Sequence, residues 1–274
     1  MDPDNNQSRP MELLARAALE IGIDLSPAHL DKFAVYLTEL KEWNEKLNLT
    51  ALRNDRDIVI KHFVDSLSLC RFISGGSHVV DAGSGAGFPG IPLKIVNPSL
   101  FLLLVDAKRK KVHFLRYIIR TLELKDIDAI QAHLDHETSR TPEYCEKADV
   151  VVSRAFSDLR IFLDLCLNLL KPGGTAIAMK GPAVDKEIEK VAAGDRYAAY
   201  EKTADSEFTL PFTKDKRRVL VYRKSTGVRN QRDGRGPESI QGDLRSGDTS
   251  IDFQIMFLGR QQGGDSTCSY IPDR

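Results

Sequence analysis

The sequence predicts an α/β protein, a doubly wound parallel sheet preceded by an N-terminal helical cap. Three observations carry this. From residue 78 onward, short apolar runs alternate with amphipathic helical segments. One of these runs, Val79-Val80-Asp81, opens into a glycine turn and then a short helix. The residues before it show helical periodicity alone. Strand–helix alternation lays crossover helices over a parallel sheet, and such sheets bind ligands beyond the carboxyl ends of their strands.

Residues 1–10 are polar and expected to be disordered. Residues 11–22 read as a short amphipathic helix closed by Gly22. Ser26-Pro27 is a helix start, with Ser26 as N-cap and Pro27 in the first turn. The helix that follows carries Leu30, Phe33, Ala34, Leu37, Leu40 and Leu47 on one face. A further helix is expected over 58–73, before Gly75-Gly76, so that 11–75 form the helical cap. In the sheet domain, 76–224, strands are expected at 79–81, 100–106, 127–131, 149–153 and 175–179. Helices are expected at 91–96, 112–124 and 159–170, the last stopped by Lys171-Pro172-Gly173-Gly174. A final strand at 219–222 follows a 208–212 segment. Residues 225–274, rich in Gly, Ser, Arg, Asp and Gln, are expected to form a disordered tail.

The 274 residues carry 39 basic and 39 acidic side chains, a formal net charge of zero. Nucleic-acid contact must therefore rest on local patches. Two exist, Lys108-Arg109-Lys110-Lys111 and Lys214 with Lys216-Arg217-Arg218, and either also fits a solvated face. No apolar run is long enough to span a bilayer, and the N-terminus lacks a secretory pattern. The four cysteines form no C-x-x-C pair, as expected of thiols in a reducing cytoplasm. His133 and His136, beside Asp135 and Glu137, fit a solvated loop or a metal cluster; the loop is the expectation, with no metal.

Gly85-Ala86-Gly87-Phe88-Pro89-Gly90 satisfies the G-x-G-x-x-G fingerprint of dinucleotide sites, a weak signal alone. In those sites a pyrophosphate rests on the loop and the helix N-terminus. Asp81, two residues before Gly83, is expected to repel a pyrophosphate and to welcome a cofactor with ammonium and sulfonium charges, S-adenosylmethionine. The D-x-G-x-G-x-G order resembles the first motif of class I methyltransferases. Asp106, at the end of the second strand, can accept both hydroxyls of a ribose or cap the helix after it. Leu134 offers an apolar contact to an adenine face, and Asp135 an acceptor for its exocyclic amine. Phe88 packs on the cofactor or in the core.

Ser153-Arg154-Ala155-Phe156 follows the fourth strand, where class I methyltransferases place catalytic chemistry. No N-P-P-Y-like segment for exocyclic amines stands there, and none of the cysteines follows a proline as pyrimidine-carbon chemistry requires. Guanine N7 is a nucleophile with an in-plane lone pair and no proton to remove. Catalysis of its methylation is positioning. Arg154 is the catalytic candidate, binding the methionine carboxylate or the guanine O6/N7 edge, or else making a structural ion pair. In the helical cap, Asn44 and Asn48 are four apart and suit hydrogen bonds to a base or backbone, or local capping. His62 and Asp65, three apart, suit an ion pair.

Six segments together resemble the GidB/RsmG family, bacterial 16S ribosomal RNA guanine-N7 methyltransferases. They are W-N-x-x-x-N-L-T-A (43–51), H-x-x-D-S-L (62–67), D-A-G-S-G-A-G-F-P-G-I-P-L (81–93), V-D-A-K-R-K-K-x-x-F-L (105–115), S-R-A (153–155) and M-K-G (179–181). The likeness spans roughly 11–224. It implies a Rossmann-like class I methyltransferase sheet, S-adenosylmethionine as cofactor, and methylation of N7 of a guanine in the 530-loop region of 16S ribosomal RNA. The RNA is expected within a 30S subunit or its precursor, and the protein as a cytoplasmic monomer with no membrane partner. The resemblance makes Gly83, Phe88, Asp106, Leu134, Asp135 and Arg154 cofactor contacts, with Asp81 and Gly85 from the same loop. Asn44, Asn48, His62, Asp65 and Lys180 are the candidates for substrate RNA. The family usually has Ala-Glu where this chain has Leu134-Asp135, and the tail after Lys224 has no counterpart. Two readings of other classes compete: a nicotinamide-dependent oxidoreductase, and a non-catalytic RNA-binding or division-associated module.

Overall fold

The computed structural model describes residues 4–134, 139, 141, 144–154, 156 and 158–227. Seven strands form one sheet: β1 His78–Ala82, β2 Phe101–Asp106, β3 Ile127–Gln131, β4 Ala148–Arg154, β5 Leu170–Lys180, β6 Tyr200–Thr209 and β7 Lys216–Lys224. Their order is β3-β2-β1-β4-β5-β7-β6. β1 to β5 are parallel, as expected. β7 runs antiparallel to both β5 and β6. Only residues 210–215 separate β6 from β7, too few for a crossover, so the pair closes as a hairpin. The strand order reverses between β1 and β4, which opens a crevice at their carboxyl ends.

The helical cap begins with α1 Asp4–Glu20 and α2 Pro27–Leu47. Helix α1 thus starts seven residues before the expected position, within the stretch read as disordered. Ser26 caps α2 as expected, its Oγ accepting the His29 N–H at 3.2 Å. The expected single helix over 58–73 is instead a broken one. It comprises α3 Asp55–Ile58, a π-helical turn Val59–Val64, α4 Asp65–Leu67 and a 3-10 turn Cys70–Phe72. Such π turns are rare and recur at functional sites, and this one carries His62.

The remaining helices are α5 Gly90–Val96, α6 Arg109–Thr121, α7 Leu159–Leu169 and α8 Asp185–Ala192. The helical cap, α5 and α6 cover one face of the sheet in a single apolar cluster that joins Leu14, Phe33, Leu40 and Phe63 to Val79, Leu102 and Val152. α7 and α8 cover the other face. Tyr36 lies at the centre of the first cluster, stacked on Phe63, Phe88 and Phe114 at 5.3, 5.4 and 6.5 Å between ring centroids. Burying each such ring contributes on the order of 1.5–3 kcal/mol. Phe88, in the glycine loop, is thereby anchored to the helical cap.

Three elements differ from expectation. β5 starts at Leu170 and runs through Pro172 and both glycines, because a register shift opposite Ala148–Val150 absorbs them. β6 spans ten residues on the sheet edge with mostly exposed side chains, so no apolar run marks it. α8 was not foreseen at all. Among the described residues no helix is long and apolar enough to cross a membrane.

Candidate functional site

β1 ends at Ala82, and the chain turns through Gly83, Gly85 and Gly87 with φ of +78°, +62° and +100°. At Gly87 a Cβ would lie 2.5 Å from Ile91 Cδ1 and 2.7 Å from the Tyr36 hydroxyl, so glycine is required for space as well as conformation. At Gly83 a Cβ would meet nothing within 4 Å, because the loop there borders open space.

Six amides of this loop, those of residues 83–85, 87, 88 and 90, are already engaged. Gly83 and Ser84 donate to the Val105 carbonyl at 2.9 and 3.0 Å, and Gly87 and Phe88 to that of Ser84 at 2.8 and 2.9 Å. Gly85 donates to Asp106 Oδ2 at 3.0 Å, and Gly90 to Asp81 Oδ2 at 2.9 Å. A loop that cradles phosphates presents free N–H groups to the anion. This one closes them on carbonyls and two carboxylates.

Asp81 lies deeper than the sequence reading puts it. It is fully buried under the loop, and its Oδ1 has no hydrogen-bond partner. Burial pushes its carboxyl up to about 7, against opposing help from the Gly90 amide and Arg154. It therefore does not stand at the mouth as a fixed negative charge. Asp106 is buried at the tip of β2, where Oδ1 accepts the Lys108 N–H at 2.8 Å and Lys111 Nζ lies 3.6 Å from Oδ2. It holds Gly85 and accepts the Lys108 N–H just before α6, while Lys108 itself is the N-cap residue of that helix.

A cleft of about 270 Å³ lies where the loop meets the helical cap. Its walls are residues 83–86 and Phe88 of the loop, Leu49, Thr50 and His62 of the helical cap, Lys111 of α6, and Arg154 at the end of β4. The structure thus brings Gly83, Gly85, Phe88, His62 and Arg154 together. The Arg154 guanidinium sits 4.9 Å from the Phe88 ring centroid, and its Nη1 donates to the Lys61 carbonyl at 3.0 Å. The same Nη1 is 2.9 Å from His62 Nδ1. Nδ1 also lies 3.1 Å from the Lys61 carbonyl oxygen, so it has a donor and an acceptor beside it. Nε2 lies 2.7 Å from Thr50 Oγ1. Burial first, and the Arg154 charge next, lower His62 to about 3. The His62 ring also stacks on Phe88 at 4.4 Å.

Four expected RNA contacts are placed elsewhere. Asn44 is buried, and its Oδ1 accepts the Thr50 N–H at 2.8 Å, fixing the chain after α2. Asn48 is the left-handed C-cap of α2, with φ +49°, so the two amides share no working face. Asp65 is buried and pairs with Arg217 at 3.1 Å rather than with His62. Lys180 donates to the Phe156 carbonyl and to Glu187, both at 2.9 Å, which ties β5 to α8. Leu134 is half-buried against the apolar cluster of the second face, and Asp135 lies outside the described residues. Of the basic patches, Arg217 and Arg218 are engaged with Asp65 and with Asp185 and Asp205. Lys108 and Arg109 are exposed at the start of α6, two to three residues before the cleft-lining Lys111. Among the described residues no three His, Cys, Asp or Glu side chains gather as a metal would require. Sequence reasoning missed Thr50, Ser84 and Lys111, although all three stand inside quoted motifs.

The residues present fit a nucleoside carrying a cation. The carboxylate of Asp106, at the tip of β2 beside Gly85, gives the loop an acceptor, the unpartnered Asp81 Oδ1 lies buried beneath the loop, and the open face of Gly83 allows close approach. Carboxylates accept about four hydrogen bonds, so Asp106 retains capacity for ribose hydroxyls.

The profile of the GidB family, described as rRNA small subunit methyltransferase G, matches residues 29–221. A protein called ribosomal RNA small subunit methyltransferase G from Acetivibrio thermocellus is 40% identical over 222 residues, covering 81% of this chain and 91% of that one. A protein of the same name from Geobacter sp. (strain M21) is 43% identical over 212 residues, covering 77% and 95%. Among solved structures, a SAM-dependent methyltransferase from Aquifex aeolicus aligns with a TM-score of 0.49 and 17% identity, covering 65% of this chain and 97% of that one. The chain belongs to the rRNA small subunit methyltransferase G family.

Proposed function

We propose that this chain methylates N7 of a guanine in 16S ribosomal RNA, presented within the 30S subunit or a precursor of it. The protein is a methyltransferase of small-subunit ribosomal RNA, and its cofactor is S-adenosylmethionine. When bound, that cofactor supplies an electrophilic methyl group on a sulfonium sulfur. Gly83, Gly85, Phe88, Asp106 and Arg154, at the carboxyl ends of β1, β2 and β4, would hold it, with Leu134 supplying an apolar contact to its adenine.

The observation that carries N7 is the state of His62. This imidazole forms part of the cleft wall, yet both its nitrogens are engaged and burial holds it neutral to about pH 3. It takes no proton from a substrate. A nucleophile that must lose a proton is poorly served here, whereas the N7 lone pair needs only alignment. Lys108 and Arg109 supply the charge that draws an RNA backbone toward the cleft.

The test is tritium transfer from labelled S-adenosylmethionine into isolated 30S subunits, followed by nucleoside mass spectrometry. Label in 7-methylguanosine is the expected outcome. Cofactor binding without labelled 30S RNA, or label on another base atom, overturns the reading. Calorimetric titration with S-adenosylmethionine and with a nicotinamide dinucleotide decides against the oxidoreductase if only the first binds.

A further inference from the structure

We propose that the tip of the β6–β7 hairpin is a second contact for the substrate RNA. There an unpaired base stacks on Phe212, and the neighbouring phosphates pair with Arg16, Arg56 and Lys214; the inference rests on the ribosomal RNA reading above. Phe212 is the one exposed aromatic side chain among the described residues, 38% accessible. Its backbone is left-handed, with φ +59°. A bulky side chain is an outlier there, whereas Gly or Asn adopts that conformation at lower cost, and such outliers gather at functional sites. The turn around it is closed. Leu210 donates to the Asp215 carbonyl at 2.9 Å, Thr213 to the Leu210 carbonyl at 3.1 Å, and the Asp215 N–H to Thr213 Oγ1 at 3.0 Å. The helical cap holds the tip twice more. Arg56 of α3 donates to the Phe212 carbonyl at 2.6 Å, and the Arg16 guanidinium of α1 lies 5.2 Å from the ring centroid. The ring is presented rigidly, so little ordering entropy is lost when a partner meets it.

Charge and position identify the partner. The nearby carboxylates of Asp57 and Asp215 are both taken by Lys61, at 3.1 and 3.2 Å. Among the described residues Arg16, Arg56 and Lys214 form no ion pair, although Glu12 and Glu20 share the α1 face with Arg16. An aromatic ring set among uncompensated cations suits single-stranded nucleic acid, whose bases stack and whose backbone is anionic. The hairpin also lies on the cleft's side of the sheet, because Arg218, near the start of β7, pairs with Lys180 at the carboxyl end of β5. Lys61 joins the two places. Its ammonium meets Asp215 of the turn, and its carbonyl accepts from Arg154 in the cleft wall at 3.0 Å. A strand whose guanine enters the cleft thus reaches Phe212 with a flanking nucleotide.

The experiment compares wild type, Phe212→Asn, Phe212→Trp and Lys214→Gln in methylation of purified 30S subunits, and in filter binding to 30S subunits and to protein-free 16S ribosomal RNA. Asparagine suits the left-handed backbone, so Phe212→Asn is expected to melt close to the wild type. Its KM and Kd for 30S subunits rise at least about fivefold, the lower end of what one stacked base contributes, while kcat and the calorimetric Kd for S-adenosylmethionine stay within about twofold. Phe212→Trp keeps a stacking face and stays near the wild type. Lys214→Gln lowers the slope of log affinity against log salt by about 0.7, the share of one phosphate on a single strand. Wild-type KM in Phe212→Asn, an unchanged salt slope in Lys214→Gln, or a loss confined to cofactor affinity overturns the proposal. Weaker binding to 30S subunits with unchanged binding to the naked RNA assigns the tip to a ribosomal protein and overturns it too. Should the asparagine variant fail to fold, Phe212→Leu carries the same expectations. A wild type that labels no 30S RNA refutes the parent reading instead, so the two failures are distinct.

Discussion

The Tyr36 hydroxyl, midway along α2, donates to the Ala86 carbonyl at 2.5 Å across fifty residues of sequence. Both groups are buried, and the same ring stacks on Phe88. The glycine loop is therefore held from above by the helical cap as well as from below by Asp81. Tyr36→Phe keeps the stacking and removes only the donor, leaving a buried carbonyl unpaired. The expected cost is about 1–3 kcal/mol in urea unfolding, together with weaker S-adenosylmethionine binding by calorimetry. Unchanged values for both would show that stacking alone fixes the loop.

Asp106→Asn retains the shape of the side chain but removes its charge beside Gly85 and Lys111. Cofactor affinity is expected to fall at least tenfold, through lost charge-assisted bonds to the ribose. Melting temperature should move by only a few degrees. Isothermal titration and a thermal melt separate the two effects.

Asp81 makes the stability of the protein depend on pH. Its folded value is about 7, raised from 3.8 by burial, so the folded state binds this proton more tightly than the unfolded chain. The contribution is full below about pH 4 and is lost as pH rises through 7. Asp81→Asn removes that slope, which is at most about 1.4 kcal/mol per pH unit. A cationic ligand nearby favours the ionised carboxyl, so S-adenosylmethionine should bind more weakly as pH falls below 7. In the Asn variant that pH dependence disappears, as titrations at pH 6 and 8 will report.

His62 acts with the opposite sign. Its folded value of about 3 lies below the ordinary 6.5, so only the unfolded chain takes up a proton in between. Stability is intact above 6.5 and is lost as pH falls toward 3, again at up to about 1.4 kcal/mol per unit. His62→Gln is expected to unfold less steeply in acid than the wild type. The two groups offset one another between about pH 4 and 6.5, so each is read from the difference between variant and wild type in urea titrations at several pH values.

The sheet was legible where burial makes sequence monotonous. β2 is an almost unbroken apolar run, and Ser26-Pro27 announces α2 by local chemistry alone. β6 was not legible, because an edge strand facing water needs no apolar face. The cleft was half legible. Glycine spacing located the loop, and Arg154 followed from its place after β4. Partners distant in sequence decided the rest. Asp65 is committed by Arg217, and Lys180 by Glu187 and the Phe156 carbonyl. The depth of Asp81 follows from the loop folding over it, and no residue spacing encodes that.

Ribosomal RNA bears an anion on every nucleotide, and an enzyme working against it meets those anions at very high local density. A strand terminus with unsatisfied amides would be a trap for them. Here each of the bonded loop amides finds its acceptor within the protein. Those six groups are thus spent before any phosphate of the polymer reaches the loop.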